Sequence, residues 1–125
     1  MRIGINGRFL MAKRTGVQRA AYNLVKTLVE VDRENEYFIF TGVGQENADE
    51  WKHPNVRVIC DNIRPNESLR NHIWEQVRLP RLAAKYKVDI LHSPANVAPL
   101  FYSGKSIIHI HDLCFVVNPQ WYSFA

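Results

Sequence analysis

Cysteine is scarce in this chain and long apolar runs are missing. Only Cys60 and Cys114 occur among 125 residues, they form no CxxC pair, and each lies in or beside an apolar stretch. They read as reduced core thiols, not as a disulfide framework or a metal site. No apolar run approaches the ~20 residues that a helix needs to cross a bilayer. The start, Met1-Arg2-Ile3-Gly4-Ile5-Asn6, breaks its apolar stretch with Gly and Asn before a secretory segment can form. A cytoplasmic, reducing setting is therefore expected. Internal repeats and low-complexity tracts are absent too.

Charge is modest: 16 Lys plus Arg against 12 Asp plus Glu leaves a formal +4. With 46% hydrophobic and 22% charged residues, the composition is that of an ordinary globular domain and excludes disordered or collagen-like chains. The length suits one domain, able to bury roughly two-thirds of the surface of its unfolded chain. The basic residues are scattered over helices and loops without interleaved stacking aromatics, so a nucleic-acid partner is not expected. The positive balance allows weak peripheral contact with anionic headgroups, although no segment has the strongly basic and apolar faces of a membrane-surface helix.

Periodicity gives the element order. Arg2 to Asn6 reads as a strand running into a basic loop, Gly7 to Thr15. From Gly16 to Val31, residues Val17, Ala20, Ala21, Leu24, Val25 and Leu28 recur at helical spacing, and Thr15 with Gln18 forms a capping-box pattern. Strands are predicted at Tyr37 to Thr41 and Val56 to Cys60, with a Gly42-Val43-Gly44 turn and a short helical turn around Glu46 to Trp51 between them. Ser68 to Arg78 reads as a helix with Ile73, Trp74 and Val77 as its apolar stripe. Pro80 should kink it or restart it, with Leu82, Ala83 and Tyr86 on the continuation. Val88 to His92 and Ser106 to Leu113 are apolar enough to predict central parallel strands. Strands alternating with helices imply an α/β fold: a Rossmann-like, doubly wound, mostly parallel sheet of about five strands with helices on both faces. No helix follows to cover the last strand, so the chain is expected to be part of a longer protein.

In such a sheet, ligands bind outside the carboxyl ends of the strands, where the strand order reverses. Three segments should converge there: Asn6 to Thr15, His92 to Asn96, and His109 to Asp112. The first combines a helix N-terminus with Arg8, Lys13 and Arg14, a suitable arrangement for a phosphate or diphosphate. It is neither a Walker A loop nor a dinucleotide fingerprint. On the predicted last strand, His109 and His111 share a face. They present either two imidazoles for a metal-dependent hydrolase, with Asp112 or His92 as a further ligand, or a single His111 oriented by Asp112 toward a polar substrate. No second cluster of carboxylates and histidines completes a metal site.

Taken in order, several segments resemble the N-terminal half of glycosyltransferase family 4 over residues 1 to about 119. They are Arg2-Ile3-Gly4-Ile5-Asn6, Thr15-Gly16-Val17-Gln18-Arg19 with Asn23-Leu24, Glu75-Gln76-Val77-Arg78-Leu79-Pro80, Asp89-Ile90-Leu91-His92-Ser93-Pro94 and Ile110-His111-Asp112-Leu113. The resemblance implies half of a GT-B fold, in which two Rossmann-like domains face each other across a cleft. A sugar passes from a nucleotide-sugar donor to an acceptor with retention, and no metal or other cofactor is needed. The N-terminal domain receives the acceptor, here a polysaccharide or glycolipid glycosylated by a mannosyl- or rhamnosyl-transferase-like enzyme.

By position, Gly16 matches the small residue beside the donor diphosphate and the acceptor. His111 matches a histidine near the reacting centre, with Asp112 as its companion, and His92 and Asn96 match the loop on the acceptor side. Glu67 and Glu75 repeat the Glu, seven residues, Glu spacing of the family's donor site. They lie in the wrong half and without its glycine-rich context, so the match is a coincidence. The resemblance implies a donor-binding C-terminal domain that is expected to lie outside these residues, and they alone are expected to be inactive, because the reaction needs both substrates in one water-poor cleft. The competing reading is a non-catalytic α/β module that binds a phosphorylated small ligand.

Overall fold

Alternation of apolar side chains along the strands sorts this chain into two packed layers on one sheet. The computed structural model describes residues 1–45, 48–65 and 67–121. Strands β1 (Arg2–Asn6), β2 (Glu36–Gly42), β3 (Val56–Asp61), β4 (Ile90–Ser93) and β5 (Lys105–Ile108) lie in the order β3-β2-β1-β4-β5. Every neighbouring pair is parallel. The fold is α/β and Rossmann-like, as the alternation of elements predicts.

On one face, Ile5, Tyr37 and Ile39 pack against Ala21, Val25 and Val29 of helix α1 (Gly16–Val31) and against Trp51. On the other, Phe38, Phe40 and Leu91 pack against Ile63, Trp74 and Leu79. Successive β2 residues thus serve opposite cores, which is why the strand reads as one unbroken apolar run. At the amino-terminal edge of the sheet, Asp32 ties α1 to β2. It accepts from the Glu34 and Asn35 amides, from the Asn35 side chain at 2.6 Å and from the Tyr37 hydroxyl at 2.7 Å. The Asn35 and Tyr37 side-chain bonds, then the Glu34 amide, hold its carboxyl below the usual range.

Several expectations are corrected. The capping box does not close: the Thr15 hydroxyl donates to the Gln18 side-chain oxygen, so neither side chain satisfies a free helix amide. Of the predicted turn before β3, a 3-10 turn at Asp49–Trp51 is present, while Glu46 and Asn47 lie outside the described residues. The helix before β4 restarts around Pro80 as expected, but through an unexpected π-helical turn: α2 (Ser68–Ile73) passes into Trp74–Arg78 and then into α3 (Leu79–Lys85). Pro80 sits in the first turn of α3, where its missing N–H does no harm, and the wide turn before it lets the Leu79 amide reach the Trp74 carbonyl. The wider turn rotates the buried stripe. Trp74, Glu75, Leu79 and Ala83 face inward, while Ile73 and Val77 are 56% and 41% exposed.

The last strand is also corrected. It ends at Ile108, pairs among the described residues with β4 alone, and is exposed along its length instead of being central. Cys60 and Cys114 are half-buried and form no disulfide. Helix α4 (Cys114–Val117) is a single turn that buries none of its residues.

Candidate ligand site at the carboxyl edge of the sheet

The strand order reverses between β1 and β4, and a cleft of about 160 Å³ opens there, lined among others by Asn6, Arg8, Gln18, Glu75, Ala95 and Val97. Its walls follow from local chemistry. Asn6 ends β1, and its side-chain oxygen accepts from the Arg8 amide at 3.3 Å, which turns the chain into the 3-10 segment Gly7–Met11. Gly7 is needed for this turn to lie against β2: a Cβ there would stand 2.7 Å from the Phe40 carbonyl oxygen.

The floor of the cleft is a polar bridge. Asn6 Nδ2 donates to Glu75 Oε1 at 2.5 Å, and Arg8 Nη1 donates to Glu75 Oε2 at 2.6 Å. Ser93 Oγ and the Val97 carbonyl each lie 3.4 Å from Asn6 Nδ2. Glu75 is 1% exposed, so its carboxylate depends on these donors to offset the loss of water. Three elements thereby meet at one carboxylate: the end of β1, the turn after it, and the π-helical turn that swings Glu75 inward.

The predicted anion site is divided. Arg8 is paired with Glu75, and Arg14 lies over the Tyr22 ring with 4.4 Å to the centroid. Lys13 lines a second hollow of about 230 Å³ with Arg8, Ser68 and Asn71. Gly16 opens α1 at the same edge of the sheet but does not line the cleft; a Cβ there would meet no protein atom within 4 Å. Open space at that point leaves room for a ligand and requires no glycine for packing.

His92 faces away from the cleft. In register with Ile5 and Ile107, it sits on the α1 face, while its neighbour Ser93 approaches Asn6. Its ring is buried 4.8 Å, centroid to centroid, from that of His109, and Nε2 has no hydrogen-bond partner among the described residues. Burial, then the His109 charge, lowers its pKa below the ordinary histidine value.

His109 and His111 are not on a strand, because β5 stops at Ile108. The His109 amide donates to the Ser93 carbonyl, and its own carbonyl accepts from Asn96. Asn96, in the left-handed region at φ 58°, accepts from the His111 amide at 2.7 Å, and the His111 ring lies 2.9 Å from the Pro94 carbonyl oxygen. Asn96 therefore joins the loop after β4 to the segment after β5. Asp112 accepts from the Cys114 amide two residues on, and the Pro94 carbonyl, not Asp112, orients the His111 ring. Among the described residues no three His, Cys, Asp or Glu side chains come together as metal ligands.

Compared with known proteins, the chain matches no family model, no curated protein and no solved structure. Sequence reasoning places Arg8 and, as the first residue of the converging loop, Asn6 at the site, but finds Glu75 only within the Glu75–Pro80 motif and in a coincidental spacing with Glu67. The available signal is a carboxylate between Trp74 and Leu79 on a buried helix face, where an unpaired charge is rarely tolerated.

Proposed function

We propose that this chain is the acceptor-binding half of a retaining glycosyltransferase that moves a sugar from a nucleotide-sugar donor to a polysaccharide or glycolipid acceptor. The observation that carries the reading is the cleft between β1 and β4, with Asn6, Arg8 and Glu75 at its floor and the loop after β4 on its rim. Two of the segments that carry the family resemblance, the end of β1 and the Glu75–Pro80 motif, meet there at a single carboxylate. Fixed amide, guanidinium and carboxylate groups around a small hollow suit hydroxyl-bearing ligands, since each can hold a sugar hydroxyl without reorganising. In this reading a second domain supplies the nucleotide-sugar, while Gly16, His111 and Asn96, the positions the resemblance assigns to the substrates, do not themselves line the cleft. No helix among the described residues is long and apolar enough to cross a membrane. A hydrolase built on His109 and His111 is not favoured, because the His111 ring is engaged with Pro94 and no third ligand joins them among the described residues.

The test is titration calorimetry, with amide chemical shifts as a map. Short mannose- or rhamnose-containing oligosaccharides should bind and shift Asn6, Ala95 and Val97, whereas nucleotide-sugars should not bind this chain alone. Tight nucleotide-sugar binding, or no response to any glycan, overturns the proposal.

A further inference from the structure

The loop between β4 and β5 supplies one wall of the cleft, through Ala95 and Val97. Its beginning is fastened to the segment after β5: the Asn96 amide donates to the His109 carbonyl at 2.9 Å, and Asn96 Oδ1 accepts from the His111 amide. Its far side is fastened to the helix before β4. Gln76 Nε2 donates to the Ala98 carbonyl at 3.2 Å, and the Leu100 amide donates to Gln76 Oε1 at 2.8 Å. A carbonyl and the amide two residues on point to the same side of an extended chain, so one carboxamide can pair with both, as a residue of a neighbouring parallel strand would. Pro99, between them, is buried and has no N–H to offer instead.

Glu75 and Gln76 are consecutive, yet they serve different walls of one cleft. Glu75 turns inward to the floor at Asn6 and Arg8, and the half-buried Gln76 turns to the loop. Val97 lies where the two meet, its carbonyl oxygen 3.4 Å from Asn6 Nδ2. Gln76 does not itself line the cleft. The hollow, about 160 Å³, is small beside the roughly 300 Å³ at which pockets for drug-sized ligands begin. In so small a space the place of one wall decides what enters.

We propose that Gln76 is a positioning residue: it sets the distance between the loop after β4 and the Asn6 floor, and so the width of the cleft, without touching what the cleft binds. The inference rests on the acceptor reading above and adds to it how the wall that meets the acceptor is held. A loop freed at this point has to be ordered when a ligand binds, a cost worth about tenfold in affinity.

The experiment compares the wild-type chain with Gln76→Ala and Gln76→Glu by amide hydrogen exchange, amide chemical shifts and titration with mannobiose. Gln76→Ala removes both bonds. Exchange at the Leu100 amide should quicken about tenfold and the Ala95 and Val97 shifts should move, while the Ile39 amide in the core of the sheet keeps its wild-type rate. Mannobiose should bind about tenfold more weakly. Gln76→Glu keeps the size of the side chain and so separates positioning from packing. Its ionised carboxylate still accepts from Leu100 but has no proton for Ala98, whereas the protonated acid donates to that carbonyl and restores both bonds. A carboxyl group whose neutral form is hydrogen-bonded in this way has its pKa raised. Loop protection and mannobiose affinity should therefore both recover in Gln76→Glu, relative to the wild-type chain at the same pH, as pH falls from about 7 to about 5. Wild-type exchange at Leu100 and wild-type shifts at Val97 in Gln76→Ala overturn the inference. So does a loosened loop with undiminished mannobiose affinity, and so does a Gln76→Glu chain that is weakened but indifferent to pH. The two proposals fail separately: if no form of the chain binds any glycan while Gln76→Ala still frees the loop, the acceptor reading falls and the hold of Gln76 on the cleft wall stands.

Discussion

Strands β2 and β5 both carry consecutive large apolar residues and both lie in the same parallel sheet, yet they occupy opposite environments. In β2 every residue after Glu36 is buried, with Ile39 wholly inaccessible, whereas Ile107 in β5 is 48% exposed. The difference comes from neighbours. β2 lies between β1 and β3, with α1 over one face and the Trp74–Leu79 segment over the other, while β5 has β4 on one side and is exposed along its length. Apolarity therefore marks a strand but not its rank in the sheet. Between the two halves stands the bridge of Asn6, Arg8 and Glu75, which fastens the end of β1 to the helix that leads into β4.

The bridge offers the sharpest test of how the halves are joined. Glu75→Ala leaves Arg8 and Asn6 without their shared acceptor, and loss of one partner of a buried pair costs about 3 to 5 kcal/mol. Urea unfolding followed by circular dichroism should show that loss, and a change below 1 kcal/mol would mean that the carboxylate is not structurally required. Next comes the contrast between the strands themselves. Ile39→Ala should cost about 3 kcal/mol, within the range for a large side chain deleted from a close-packed core, and Ile107→Ala less than about 1 kcal/mol. Equal costs would break the comparison by showing that β5 is covered in solution.

The smallest effect is a pH dependence centred on His92, which lies where α1 gives way to the open face. Its pKa is lowered in the folded chain, so the unfolded chain binds the proton more readily. The stability it contributes is whole above the ordinary histidine value of 6.5 and is lost as pH falls through the lowered folded value. Melting temperature should fall between about pH 7.5 and pH 5.5, and His92→Gln should flatten that slope. An unchanged slope in the variant would assign the dependence to other groups.

The site was only partly legible in advance. The basic loop, the carboxyl-edge location and the meeting of β1 with the loop after β4 follow from strand and helix order alone. The distribution of charge does not, because Arg8, Lys13 and Arg14 are indistinguishable in a loop until partners are assigned. Glu75 takes the first and the Tyr22 ring the third, leaving Lys13. His92 reads as a site residue when its strand is considered by itself, but pairing with Ile5 and Ile107 turns it to the α1 face.

What local sequence settled by itself is the alternation of elements: α1 spans Gly16 to Val31 as its periodicity predicts, and Pro80 restarts a helix because it cannot donate a backbone hydrogen bond. What only the tertiary structure decided is which side chains share a space. The π-helical turn before Pro80 rotates Ile73 and Val77 out and Glu75 in, and the sheet order sets β5 at the edge. Local propensity depends on a residue and its near neighbours, whereas a buried charge and a strand's place in a sheet depend on partners far away in the chain. Glu75 finds its two donors 69 and 67 residues upstream.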